Sequence, residues 1–121
     1  MLSTTLYHRR FFPIYTFNVV AGVQDGKGYI WGYDAIGSFE SSPYCVCGSG
    51  SALITSILDN QVEFKSQPQH KRELSLEEAI SLFKDAFVCA GERDIYTGDY
   101  VEYAVITTDG VKIDRFNLKL D

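Results

Sequence analysis

Two short stretches of this 121-residue chain gather hydroxyls, a carboxylate and glycine. In the run from Glu92 to Tyr100, Asp94, Thr97 and Asp99 surround a single Gly98, with Arg93 just ahead. An acid and a hydroxyl are the groups of nucleophilic chemistry, but a hydroxyl needs a base to activate it. No histidine pairs with Thr97 by any motif, because His8 and His70 lie in unrelated segments. The same residues also suit a polar helix C-terminus, where Arg93 favours the dipole and Gly98 takes the turn. The second stretch is Gly48-Ser49-Gly50-Ser51. Glycine before a helix permits close backbone approach, and a helix N-terminus attracts anions. Neither the P-loop nor the dinucleotide spacing is present, so the favoured reading is a tight strand-to-helix turn with a serine cap.

Cys45 and Cys47 are two apart and would share a face on a strand. Such a pair can bind metal, but no second Cys/His pair accompanies it. No metal site is expected, and Cys45, Cys47 and Cys89 read as buried or half-buried structural thiols. Gly26-Lys27-Gly28 invites a phosphate cradle, yet it sits at a hairpin tip and precedes no helix.

The elements that must position these residues follow from periodicity. Residues 2–10 suit a helix stopped by Pro13, and it reads as the end of a longer helix. Residues 14–23 alternate, with Tyr15, Phe17, Val19, Ala21 and Val23 on one face of a strand. Asp25-Gly26 turns the chain into a second strand over 29–34, and residues 44–47 suit a third, giving an antiparallel meander. A helix then runs from Ala52 to Val62. After a polar loop, Ser75 and Glu78 form a capping box ahead of a stripe of Leu76, Ala79, Ile80, Phe83, Ala86, Phe87 and Ala90. Burying Leu76, Ile80, Phe83 and Phe87 contributes roughly 1.5–3 kcal/mol each, against about 1 kcal/mol for the cap. Packing dominates, so this helix should cover a sheet. Two last strands flank Asp109-Gly110. The order is helix, three strands, two helices, two strands, an α+β chain read as a single domain over 1–121. The second hairpin is too small to be stable alone.

Composition narrows the function. The net charge is −5, and the basic pairs Arg9-Arg10 and Lys71-Arg72 are the densest positive spots, so nucleic acid is an unsuitable partner. No apolar run approaches a membrane span, and the first five residues lack the pattern of a secretory signal. An odd count of 3 cysteines argues against a disulfide framework and for a reducing compartment.

Taken in order, RRFFP, AGVQDGKG, YDAIGS, LDNQVEFK, LSLEEA, ERDIYTGD and TTDG resemble the C-terminal part of proteasome beta-type subunits, across essentially the whole chain. RRFFP and LDNQVEFK are similar to the non-catalytic subunit at the sixth beta position. The resemblance implies an N-terminal-nucleophile hydrolase fold, a four-layer αββα sandwich whose N-terminal strands are missing here. Met1 then aligns inside a helix in mid-domain, which implies a truncated subunit, a mispredicted start or a fragment.

Active family members use a threonine exposed by cleavage, whose own amine can serve as base. The resemblance gives Thr4 and Thr5 no such role, since they lie in the first helix with no preceding glycine. It makes Ser49, Asp94, Thr97 and Gly98 vestigial supporting positions, Thr97 standing where active members carry a serine. It implies no catalytic residue here, no cofactor and a hetero-oligomer with other beta and alpha subunits in cytoplasm and nucleus. The polar loop at 65–73, with Pro68, is expected to be a solvent-facing or subunit-contacting insertion. One departure is Gly48-Ser49-Gly50-Ser51, which is closer to active members than to the sixth-position group. The alternative is accordingly a catalytic threonine-peptidase beta subunit lacking its N-terminal half. An independent α+β binding module is a third reading.

Overall fold

The computed structural model describes residues 1–67, 69 and 71–120. Pro68 and His70, in the expected 65–73 insertion, lie outside the described residues. The chain forms two compact units, Met1–Gly48 with Ile106–Gly110, and Ser49–Val105 with Val111–Asp121.

In the first unit, helix α1 spans Leu2–His8 and buries Leu6. It ends five residues ahead of Pro13, so proline does not stop it. The N–H groups of Arg9 and Arg10 instead close tight turns onto the carbonyls of Leu6 and Tyr7, at 3.1 and 3.2 Å. Ser3 Oγ donates to the Gly37 carbonyl at 2.7 Å, which ties the helix to the turn after β2.

Strand β1 covers Asn18–Gln24 and β2 covers Lys27–Tyr33, paired antiparallel from Asn18 with Tyr33 to Gln24 with Lys27. Between them Asp25 and Gly26 take φ of 52° and 75°, the two left-handed residues that a two-residue hairpin requires. The expected strand from residue 14 begins four residues later. Its partner stops at Tyr33, because Asp34 turns the chain with Oδ1 accepting from the N–H of Ile36 and Ser38, at 3.1 and 2.8 Å. The third strand is also displaced from expectation. β3 is Phe39–Ser41, pairing with Trp31–Tyr33, whereas residues 44–47 are irregular. The turn at 34–38 returns the chain to β2 at once, and Pro43 lacks the N–H to extend the ladder.

In the second unit, α2 spans Ser51–Gln61 and α3 spans Leu76–Arg93. The α3 capping box forms as expected: Ser75 Oγ accepts from the Glu78 N–H at 3.2 Å, and Glu78 Oε2 accepts from the Ser75 N–H at 3.0 Å. Arg72 adds a bidentate pair to the same carboxylate at 2.8 and 3.1 Å. Those bonds, from Arg72 first and then Ser75, pull the Glu78 carboxyl down to about 2.

Helices α2 and α3 pack together. The buried side chains there are Ile54, Ala86 and Ala90, so small residues set the close approach. The large stripe residues are less covered than expected: Leu76 is 56% exposed, and Ile80, Phe83 and Phe87 are half-buried. Strand β4 (Tyr100–Thr107) pairs with β5 (Gly110–Asn117) as a two-stranded sheet. The Phe83 ring lies 5.8 Å from Tyr103 between centroids, and Tyr103 lies 6.1 Å from Phe116, so α3 does cover this sheet.

Candidate functional site

The end of α3 and the turn ahead of α2 bring three of the four expected positions together. Asp94 caps α3 in an extended conformation. Its Oδ2 accepts from Ser49 Oγ at 2.6 Å and from Thr97 Oγ1 at 2.7 Å. Its Oδ1 accepts from the Tyr96 N–H at 3.2 Å. The bonds from Ser49, Thr97 and Tyr96, in that order, hold the Asp94 carboxyl below its ordinary value. The group is therefore an ionised acceptor at neutral pH. Ser49 and Thr97 each have one hydroxyl proton, and both protons point at the same oxygen.

This arrangement overturns the expected serine cap. The N-cap of α2 is Gly50, with no side-chain cap bond, because the helix starts one residue earlier than expected and takes Ser51 as its first residue, while Ser49 is turned to Asp94. Gly50 is the site residue that sequence reasoning passed over. It is buried, and a Cβ there would sit 3.2 Å from Asp94 Oδ2, 3.4 Å from Thr97 Oγ1 and 3.5 Å from Ala90 Cβ. The available signal was the pairing of a small residue at 50 with the alanines of the α3 stripe.

The fourth position, Gly98, is exposed and makes no turn. The turn runs from Asp94 to Thr97, closed by Thr97 N–H to the Asp94 carbonyl at 3.2 Å, and the left-handed residue is Asp99, with φ of 63°. A Cβ at Gly98 would meet nothing within 4 Å, so nothing in the structure requires glycine there. Arg93 is the last residue of α3, as expected.

The other sequence candidates resolve differently. Lys27 starts β2 at the hairpin tip. Cys45 and Cys47 share no strand face, since residues 44–47 are irregular. Cys45 is half-buried, whereas Cys47 and Cys89 are exposed, which corrects the expectation of buried or half-buried thiols for both. Cys89 lies on the outer side of α3, where its stripe neighbours Ala86 and Ala90 take the buried side. Among the described residues no group of three or more His, Cys, Asp or Glu could hold a metal ion, and no helix is long and apolar enough to cross a membrane.

The element order and this carboxylate–hydroxyl wall define a mixed helix-and-strand domain, and residues 1–106 match the family described as proteasome subunit. Such a domain is consistent with a partial N-terminal-nucleophile hydrolase fold. A proteasome subunit beta type-1 from Dictyostelium discoideum is 50% identical over 99% of the chain, and one from Oryza sativa is 47% identical over all of it. A proteasome subunit beta type-6 from Saccharomyces cerevisiae is 40% identical over 96% of the chain. The chain thus belongs to the beta-type subunits of the proteasome family. It spans about half the length of these relatives, 52%, 58% and 52% respectively.

Proposed function

We propose that this chain is a non-catalytic beta-type subunit of the proteasome core particle, at the sixth beta position. Residues 1–121 would be the C-terminal portion of a beta-type domain. Its role is structural: it closes the beta ring and contacts neighbouring beta subunits and an alpha-ring subunit, in cytoplasm and nucleus. Through that assembly it contributes to ubiquitin-dependent protein degradation carried out by other subunits. The sixth position rests on RRFFP and LDNQVEFK, and the name of the yeast relative agrees with it.

The observation that supports a positioning and not a reacting role for these residues is the shared acceptor. Both Ser49 and Thr97 direct their proton to Asp94 Oδ2, at 2.6 and 2.7 Å. A carboxylate held below its ordinary value is a weak base, so it orients these hydroxyls without activating either. Ser49, Asp94 and Thr97 are then the supporting wall of a site that does no chemistry, with Gly98 exposed next to Thr97.

A second reading has one observation in its favour. The Gly48-Ser49-Gly50-Ser51 turn is closer to active members, and Gly50 fits tightly against Asp94 and Thr97. On that reading the subunit is a threonine peptidase whose nucleophile lies outside these 121 residues. A peptide probe with an electrophile that traps N-terminal threonine separates the two. Applied to the purified particle, it is expected to label other beta subunits and leave this one unlabelled. Covalent labelling of this subunit would establish the peptidase reading.

A further inference from the structure

We infer that Cys47 is a modification site for low-molecular-weight disulfides of the glutathione type, and that Cys45 resolves the adduct into a Cys45–Cys47 disulfide. Cys47 is the exposed member of the pair, and Cys45 is half-buried. Two residues of chain hold the two Cα atoms within about 7 Å, close to the upper end of the usual disulfide range. A β-ladder would fix residues 44–47 extended with their side chains parallel. The segment belongs to no strand, so no ladder hydrogen bonds hold it at that separation. Both thiols are lightly held. Cys47 Sγ makes only a long contact of 3.6 Å to the Phe17 carbonyl. Cys45 Sγ rests against Gly32, where a Cβ would come within 2.6 Å, so its seat is a bare patch of β2 backbone.

The order of events follows from access and charge. The Cys47 thiolate attacks one sulfur of the small disulfide, and the old S–S bond breaks. The departing thiolate picks up from water the proton that Cys47 released. Cys45 stays in its thiol form through this step, because burial, and then the negative charge on Cys47, raise its pKa. Once Cys47 is capped it no longer ionises, and that second contribution disappears. Cys45 then lifts off Gly32, which relieves the larger contribution from burial, loses its proton to water and attacks Cys47 Sγ, expelling the second small thiol. Two protein thiols are oxidised and one small disulfide is reduced to two thiols. Cys45 must leave its seat on Gly32 to do this, so oxidation detaches the 44–47 segment from β2.

The test uses the protein in the assembly purified from its own source, treated with oxidised glutathione. Free thiols are blocked, and the peptide carrying both cysteines is weighed. The exposed Cys89, which has no cysteine near it in sequence, serves as internal reference. The expected wild-type peptide is two hydrogens lighter and unblocked, while Cys89 carries at most a glutathione adduct. Cys45→Ser should accumulate the adduct on Cys47, and Cys47→Ser should leave Cys45 free. A persistent adduct on wild-type Cys47 would overturn the inference. So would Cys45 reacting at the wild-type rate in Cys47→Ser, or both thiols remaining blockable whatever Cys89 does.

Discussion

At the scale of single residues, the Asp94 carboxylate decides how the wall behaves. Its folded pKa lies below the ordinary aspartate value of about 3.9. Its contribution to order is therefore fully present above that value and is lost as pH falls through the folded pKa. Asp94→Asn should speed hydrogen exchange at the Tyr96 amide at pH 7, because a neutral amide is a weaker acceptor. The difference from wild type should shrink as pH drops below about 4, where wild-type Asp94 also begins to lose its charge. An unchanged difference at low pH would mean that the carboxylate charge is not what orders the turn. The two glycines should part company. Gly50→Ala should loosen the wall, since three hydrogen bonds pin Asp94 where the new methyl would press on it. Gly98→Ala should leave exchange over 94–97 unchanged, having open space around it. The carboxylate and both hydroxyls were legible in the sequence as residue types. Their convergence was implied by the family resemblance and not by any local pattern, because residues 49 and 94 meet only through the packing of α2 on α3.

Among the elements, those with local signals were read well and those set by long-range partners were not. The capping box at Ser75 and the Asp25-Gly26 turn are written within a few residues, and both form as expected. The boundaries of β1 and β3 depend instead on where β2 ends and how Asp34 bends the chain, which periodicity does not encode. Two substitutions probe these signals. Ser75→Ala should cost about 1 kcal/mol of stability, read as a lower unfolding midpoint. Glu78 carries a related pH signature: its contribution is complete above the ordinary glutamate value of about 4.3 and fades as pH falls towards about 2. Gly37→Ala should hurt more. Its φ of +88° costs a side chain about 1–3 kcal/mol, and the new Cβ would also lie 2.5 Å from the Ser3 carbonyl oxygen. That carbonyl belongs to helix backbone and cannot swing aside, so α1 should detach first. Faster exchange confined to residues 2–8 is the expected signature, and a uniform loss of protection would point to global unfolding instead.

For the whole molecule, the balance of buried and exposed apolar surface sets the behaviour. The buried hydrophobic residues among those described are Leu6, Ile54, Ala86, Ala90, Val101 and Leu118, two of them alanines. Against these, Phe12 and Tyr15 are 88% and 91% exposed, and Phe11, Phe17, Phe39, Val111 and Ile113 are exposed as well. Several of these lie on or beside strands with open edges, since β1–β2–β3 and β4–β5 are separate sheets of three and two strands. Unpaired edges bordered by apolar side chains template association with other chains. Helix α3 covers the β4–β5 sheet, but Val111 and Ile113 on β5 remain exposed. The 121 residues expressed alone should therefore be oligomeric or insoluble at micromolar concentration. Size-exclusion chromatography with light scattering would show species well above the 13.6 kDa of one chain. Co-expression with neighbouring beta-type subunits should raise the soluble fraction if those partners cover part of the exposed surface. A monomer with a sharp, reversible unfolding transition would instead mean that these residues form a self-sufficient domain, and the assembly role proposed for the chain would lose its physical basis.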